Sequence, residues 1–143
     1  MQIKPADNYR ENIVQMLNSA KLPAGDLPES LANFLVALND DGIVMGTAGL
    51  EVYGDDALLR SLVVLPKHRG KGVANHLITE IENLARHHKV NTIYLLTETA
   101  QRYFSRKAYH EINREAASKQ VQASSEFSHV CPVSAVVMKK QLI

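Results

Sequence analysis

Apolar positions along the chain change period several times, and each change marks an element. After a short first strand in "MQIKPA", Ile13, Val14, Met16 and Leu17 recur at helical spacing behind Asp7 or Asn8, either of which can cap a helix. "KLPAGDLPES" is turn chemistry, and a short helix is expected from Leu27 to Ala32. Three β-like stretches follow, "NFLVALN", "GIVMGTAGLEVY" and "ALLRSLVVL". Asp-Asp-Gly and Gly-Asp-Asp separate them, which predicts the two hairpins of an antiparallel meander. Val73, Ala74, Leu77, Ile78, Ile81, Leu84, Ala85 and His88 then fall on one helical face, with Lys71, Asn75, Glu80, Glu82 and Asn83 between them. This predicts a long amphipathic helix. A buried strand "NTIYLLT", a shorter helix "AQRYFSRK", a strand "YHEI", one or two helical turns in "SKQVQASSEFSHVC" and a closing strand "SAVVMKKQL" complete the series. The order predicts an α+β or mixed α/β fold, with the central strand-turn-helix feeding a parallel neighbour.

Composition narrows the function more than the fold. A chain of 143 residues fits one domain, 1–143, and 16 basic against 15 acidic residues create no field that would draw nucleic acid or an anionic membrane. A small-molecule or peptide partner is expected. No apolar run approaches the roughly 20 residues of a membrane span, and the charged N-terminus and single cysteine point to a cytoplasmic protein without a disulfide framework. His87 and His88 are adjacent but point different ways on a helix and the other four histidines are scattered, so no metal site is expected.

The chemistry concentrates in "LVVLPKHRGKGVANHLITEIENLA", residues 62–85. A helix N-terminus presents unpaired amides and partial positive charge. A glycine turn there can wrap an anion such as a diphosphate, with Lys67, His68, Arg69 and Lys71 around it. On the glycines alone, a solvated basic turn at a helix start serves equally well. A Walker loop would need Lys followed by Ser or Thr after its last glycine, and Val73 and Ala74 stand there instead. The dinucleotide fingerprint lacks its third glycine. The remaining grammar is Arg/Gln-x-x-Gly-x-Gly/Ala after a strand ending Val-x-Pro, which Val64, Pro66, Arg69, Gly72 and Ala74 satisfy.

This motif resembles the acyl-CoA loop of the GNAT N-acetyltransferases, and the order of elements is similar over nearly the whole chain. "AGLEVYGDDALLRSLVVLP", "IYLLTETAQRYFSRKAY" and "CPVSAVVMKKQL" are more narrowly similar to small acetyltransferases associated with arsenic resistance. The resemblance implies a central, mostly antiparallel mixed sheet with helices on both faces, acetyl-CoA as cosubstrate, no metal, and direct attack by a small amine. It leaves room for a homodimer. It places the pantetheine arm along Leu62–Leu65, the pyrophosphate on the amides of Arg69, Gly70, Lys71, Gly72, Val73 and Ala74, and a splay between Leu62–Leu65 and Ile93–Thr97. An amide near Val63 or Val64, with Val64 preferred, would stabilise the thioester oxyanion.

One feature of the family is missing. Its tyrosine, the expected proton donor to CoA thiolate, falls at Phe104, and Ala108-Tyr109 replaces Gly-Phe. Tyr103 is about 100° round the helix. Ser105, Tyr109 or water are the alternatives, and a thiol of pKa about 8.5 also leaves tolerably unaided. Strand periodicity puts Gly49, Glu51 and Tyr53 on one face, which makes Glu51 the candidate base, acting through water, or else an ordinary exposed residue. Arg60, the one charge in "ALLRSLVVL", either reaches water, pairs with Glu51, or binds an acceptor carboxylate, phosphinate or arsenic oxyanion. Cys131 reads as a packed thiol rather than a nucleophile. A peptide N-acetyltransferase and a non-catalytic CoA-binding module remain the alternatives to a small-molecule enzyme.

Overall fold

The computed structural model describes residues 1–124, 127 and 135–142. Seven strands form one mixed sheet in the order β1-β2-β3-β4-β5-β7-β6. They are β1 (Gln2–Pro5), β2 (Phe34–Leu38), β3 (Val44–Tyr53), β4 (Asp56–Val64), β5 (Thr92–Thr97), β6 (His110–Ile112) and β7 (Val136–Gln141). The helices are α1 (Arg10–Ser19), α2 (Val73–His87), α3 (Gln101–Ser105) and α4 (Lys119–Gln122). The α+β class and the meander are as the sequence predicts, and β4 runs parallel to β5, pairing Asp56 with Thr92, Ala57 with Ile93 and Leu58 with Tyr94. Among the described residues no helix is long and apolar enough to cross a membrane.

Two compact units divide the chain, Met1–Leu50 with Arg60–Leu84, and Glu51–Leu59 with Ala85–Ile143. In the first, Ile13, Met16 and Leu17 of α1 pack with Phe34, Val36, Leu38, Val44 and Val63. Full burial of such side chains contributes about 1.5–3 kcal/mol each. Phe34 sits opposite Gly49, where a Cβ would come within 2.4 Å of its ring, so the glycine is what admits the phenyl group. In the second, Leu58, Tyr94, Ala117, Val121, Phe127 and Val137 form the core, with Tyr53 and Ile112 against it.

Two local expectations are corrected. Residues 27–32 form no helix and are irregular, with a bend at Glu29 and a turn at Ala32, since Pro28 disfavours the helical region at Leu27 where the helix would begin. That segment is instead held by Arg10, whose Nη2 donates to the carbonyls of Pro28 and Glu29. Neither Asp7 nor Asn8 caps α1: both lie in a preceding 3₁₀ turn, Tyr9 occupies the N-cap, and no side chain bonds there.

Helix α3 ends with Ala108 in the left-handed region at φ 71°, and the amide of Tyr109 bonds the Phe104 carbonyl at 3.1 Å. This is a C-cap geometry that glycine adopts without a Cβ penalty. Ala108→Gly is therefore expected to stabilise the protein by about 1 kcal/mol, read as a higher midpoint in chemical denaturation. An unchanged or lower midpoint would contradict it.

Candidate active site

The basic glycine turn lies between β4 and α2, as the sequence places it. After Pro66–His68, a single 3₁₀ turn, the chain is extended at Arg69 and then enters the left-handed region at both Gly70 (φ 77°) and Gly72 (φ 80°). Nothing lies within 4 Å of where a Cβ on Gly70 would stand, so the loop is open to an incoming group. Helix α2 starts at Val73, and its first ladder bond runs from the His76 amide to the Gly72 carbonyl at 3.1 Å. The amides of Val73 and Ala74 precede that bond, in the first turn, where a helix offers no acceptor of its own. Arg69, Gly70, Lys71 and Gly72 are exposed, whereas Val73 is buried and anchors the helix start. Two left-handed glycines flanking Lys71, a basic rim and a helix of 15 residues behind them form a cradle suited to a diphosphate.

The strand feeding this loop carries its own irregularity. Only two residues separate β3 from β4, which sets Tyr53 opposite Asp56. An uninterrupted ladder would bring Leu65 opposite Val44, yet the Leu65 amide bonds the Met45 carbonyl at 2.9 Å. Strand β4 therefore holds one extra residue, and Ser61 has the backbone of one, at φ 60° and 7 % exposed. Beyond Ser61 the alternation is fixed. Leu65 faces β3, and so does Val63, whose carbonyl lies 2.7 Å from a Cβ built on Gly46. Leu62 and Val64 therefore direct their amides and carbonyls away from β3. Consistent with this, the Val64 carbonyl accepts from Arg69 Nε at 3.0 Å, which ties the strand end to the loop. Of Val63 and Val64, it is Val64 whose amide is turned off the β3 ladder.

Arg60 departs from expectation. Its side chain is fully buried, and Nη1 and Nη2 bind the two oxygens of Asp26 at 2.7 and 2.8 Å. Nη2 also donates to the Pro23 carbonyl at 3.4 Å, Nε donates to Ser61 Oγ at 3.0 Å, and the guanidinium carbon sits 5.9 Å from the Phe34 ring centroid. The anion that Arg60 binds is thus the chain's own Asp26. A bidentate buried pair of this kind makes the side chain part of the packed interior rather than an exposed anion site.

In the second unit, Glu51 and Tyr53 share a face of β3, and the Tyr53 hydroxyl donates to Glu51 Oε1. Both are half-buried. Thr97, at the end of β5, uses Oγ1 to accept the Ala100 amide at 2.9 Å, which starts the turn into α3. Phe104 is 5 % exposed, with Tyr103 and Tyr109 edge-on to it at 5.4 and 5.5 Å. The ring is core packing, with no hydroxyl to offer a thiolate. Burial raises the Tyr103 pKa above its ordinary value and so keeps that hydroxyl protonated. Tyr109 is buried under Lys140, while Ser105 is exposed. Cys131 and His129 lie outside the described residues. Among the described residues no group of three His, Cys, Asp or Glu side chains is placed to hold a metal.

Comparison with known proteins places this geometry. The family model described as acetyltransferase (GNAT) domain matches residues 30–111, more than half of the chain. No curated protein sequence is similar enough to match. Among solved structures, Rv2747 from Mycobacterium tuberculosis, in complex with CoA and a second small molecule, is 22 % identical, with TM-score 0.84 and full coverage of both chains. N-acetylglutamate synthase from Neisseria gonorrhoeae, in complex with coenzyme A and N-acetyl-glutamate, is 14 % identical with TM-score 0.81, over 99 % of this chain and 35 % of that one. A GNAT acetyltransferase from Staphylococcus aureus is 19 % identical with TM-score 0.79, over 99 % of both. These likenesses carry the fold, the family model carries the assignment, and the chain belongs to the GNAT family of acetyl-CoA-dependent acetyltransferases.

Proposed function

We propose that the chain transfers the acetyl group of acetyl-CoA to the primary amine of a small, amino-acid-like acceptor by direct attack. The observation that carries the cosubstrate reading is the cradle at Gly70 and Gly72, which opens α2 at the end of a strand whose Val64 amide is turned off the β3 ladder. In this reading the main chain from Arg69 to Ala74 holds the pyrophosphate, Leu62 and Val64 bond the pantetheine arm, and the Val64 amide meets the thioester oxygen. Those donors are fixed before charge develops, so they need no reorganisation during the reaction. Glu51, oriented by Tyr53, receives the proton of the attacking amine. With Phe104 at the family's tyrosine position, the thiolate leaves without that hydroxyl.

The acceptor class rests on the company the fold keeps: the Neisseria enzyme binds N-acetyl-glutamate. The narrower sequence likeness adds phosphinate- or arsenic-bearing amino acids to the acceptors worth testing. Any preference for an anionic acceptor falls to side chains other than Arg60, which Asp26 already engages.

Calorimetric titration tests the cosubstrate site. Proline fixes φ near −65° and has no amide hydrogen, so Gly72→Pro cannot keep a φ of 80° and loses one donor. It is expected to weaken acetyl-CoA binding by about tenfold to a hundredfold, the value of one hydrogen bond to a charged group, while Lys71→Ala changes it by less than about threefold. Equal affinities for wild type and Gly72→Pro would remove the pyrophosphate from this loop.

A further inference from the structure

We infer that Arg60 is a positioning residue for acyl transfer: anchored by Asp26, it holds the left-handed Ser61 in β4 and so keeps the Val64 amide turned toward the thioester. This deepens the proposed function and rests on its assignment of Val64 as oxyanion donor. Three observations converge. Ser61 is the inserted residue that sets the direction of every later amide in β4, since without it the ladder would turn Val64 toward β3. A serine with φ 60° occupies a backbone region that costs of order 1 kcal/mol and persists where the surroundings over-determine it. The hydroxyl of that serine receives Nε of a guanidinium whose other two nitrogens are locked on a carboxylate, at 2.7–3.0 Å throughout.

Arginine suits this task, and lysine does not. Its planar fork binds Asp26 with two nitrogens and still leaves Nε on the opposite edge for Ser61, whereas an ammonium has one point of charge. The carboxylate comes from the turn segment before β2, 34 residues away in sequence, so the same contact pins that segment to β4.

The test reads the hydrogen bond itself rather than turnover. Carbon-13 acetyl-CoA, labelled at the thioester carbonyl, is bound to the full chain and its stretch followed by isotope-edited infrared spectroscopy. In wild type the stretch is expected at lower frequency than for free acetyl-CoA, as a carbonyl accepting an amide proton requires. Asp26→Asn and Ser61→Ala should return it toward the free value, and with the best amine acceptor they should lower kcat by about tenfold or more while KM for acetyl-CoA moves by less than about threefold. Ser61→Gly also lacks the hydroxyl but adopts φ 60° without a Cβ penalty, so it should retain most of the wild-type shift. The two Ser61 variants leave the ion pair intact and decide the matter if Asp26→Asn does not fold. An identical carbonyl shift in wild type, Ser61→Ala and Ser61→Gly would overturn the positioning role while leaving the oxyanion donor in place. A bound acetyl-CoA with no shift in wild type would overturn both, and the loop titration would still stand on its own.

Discussion

Glu51→Gln is expected to lower kcat at neutral pH by about 10²-fold or more, the usual scale of a general base, with acetyl-CoA affinity unchanged. The argument starts from the acceptor. An α-amino group with pKa about 8 is mostly protonated at pH 7, and only its neutral form has the lone pair that attacks a thioester. A carboxylate that takes the proton, directly or through water, supplies that form in place. Glu51 has the right chemistry, and Tyr53 limits its freedom by donating to Oε1. Glutamine keeps the shape and can still accept the tyrosine hydroxyl through its amide oxygen, so the substitution removes basicity and little else. Steady-state thiol release at saturating acetyl-CoA, with binding and melting temperature measured on the same samples, separates the possibilities. Wild-type turnover with only a lower melting temperature would make Glu51 a structural residue that secures Tyr53 in the second core.

Much of this architecture was legible because its signals are local and periodic. The meander announced itself through Asp-Asp-Gly and Gly-Asp-Asp between β-branched runs, α2 through apolar residues from Val73 to Ala85, and the basic glycine turn through Arg69, Gly70 and Gly72 at a strand-to-helix junction. What stayed hidden depends on residues far apart in sequence. Asp26 sits in "KLPAGDLPES", where an aspartate between glycine and leucine reads as turn chemistry, and nothing periodic links it to Arg60. The only available signal was the cost of a lone cation in an apolar strand, which demands a partner without naming one. Ser61 was harder still. Serine carries no preference for the left-handed region, and the extra residue appears only on comparing the length of β4 with the register that the Leu65 amide adopts on Met45. For the same reason periodicity alone could not tell which of Val63 and Val64 turns its amide off the ladder, and the preference for Val64 came from the family resemblance, since one inserted residue exchanges their faces. The expected helix at Leu27–Ala32 gave way to an irregular segment held by Arg10, a contact no local pattern announces.

The Arg60–Asp26 pair sets up the largest expected change in stability. Asp26→Ala should cost about 3–5 kcal/mol, because it removes the paired carboxylate from a guanidinium with no exposed side-chain surface, and a buried ion that loses its partner retains its full desolvation penalty. For a chain of 143 residues this corresponds to a fall in melting temperature of roughly 10–20 °C. Salt should restore little of it, since burial excludes the ions that would screen an exposed pair. The informative comparison is the double replacement Arg60→Met with Asp26→Leu. Apolar side chains of similar volume remove both desolvation penalties at once, and such exchanges are often neutral or stabilising, so the double variant should melt within a few degrees of wild type. It would nevertheless lack the donor that holds Ser61, and its carbonyl shift and kcat should follow those of Ser61→Ala. Stability and positioning therefore part company in one protein. If Asp26→Ala costs less than about 1 kcal/mol, the pair behaves like an exposed one and the buried geometry is wrong. If the double variant is both stable and fully active, the ion pair serves the fold alone, and β4 keeps its extra residue through packing of Phe34, Gly49 and Val63.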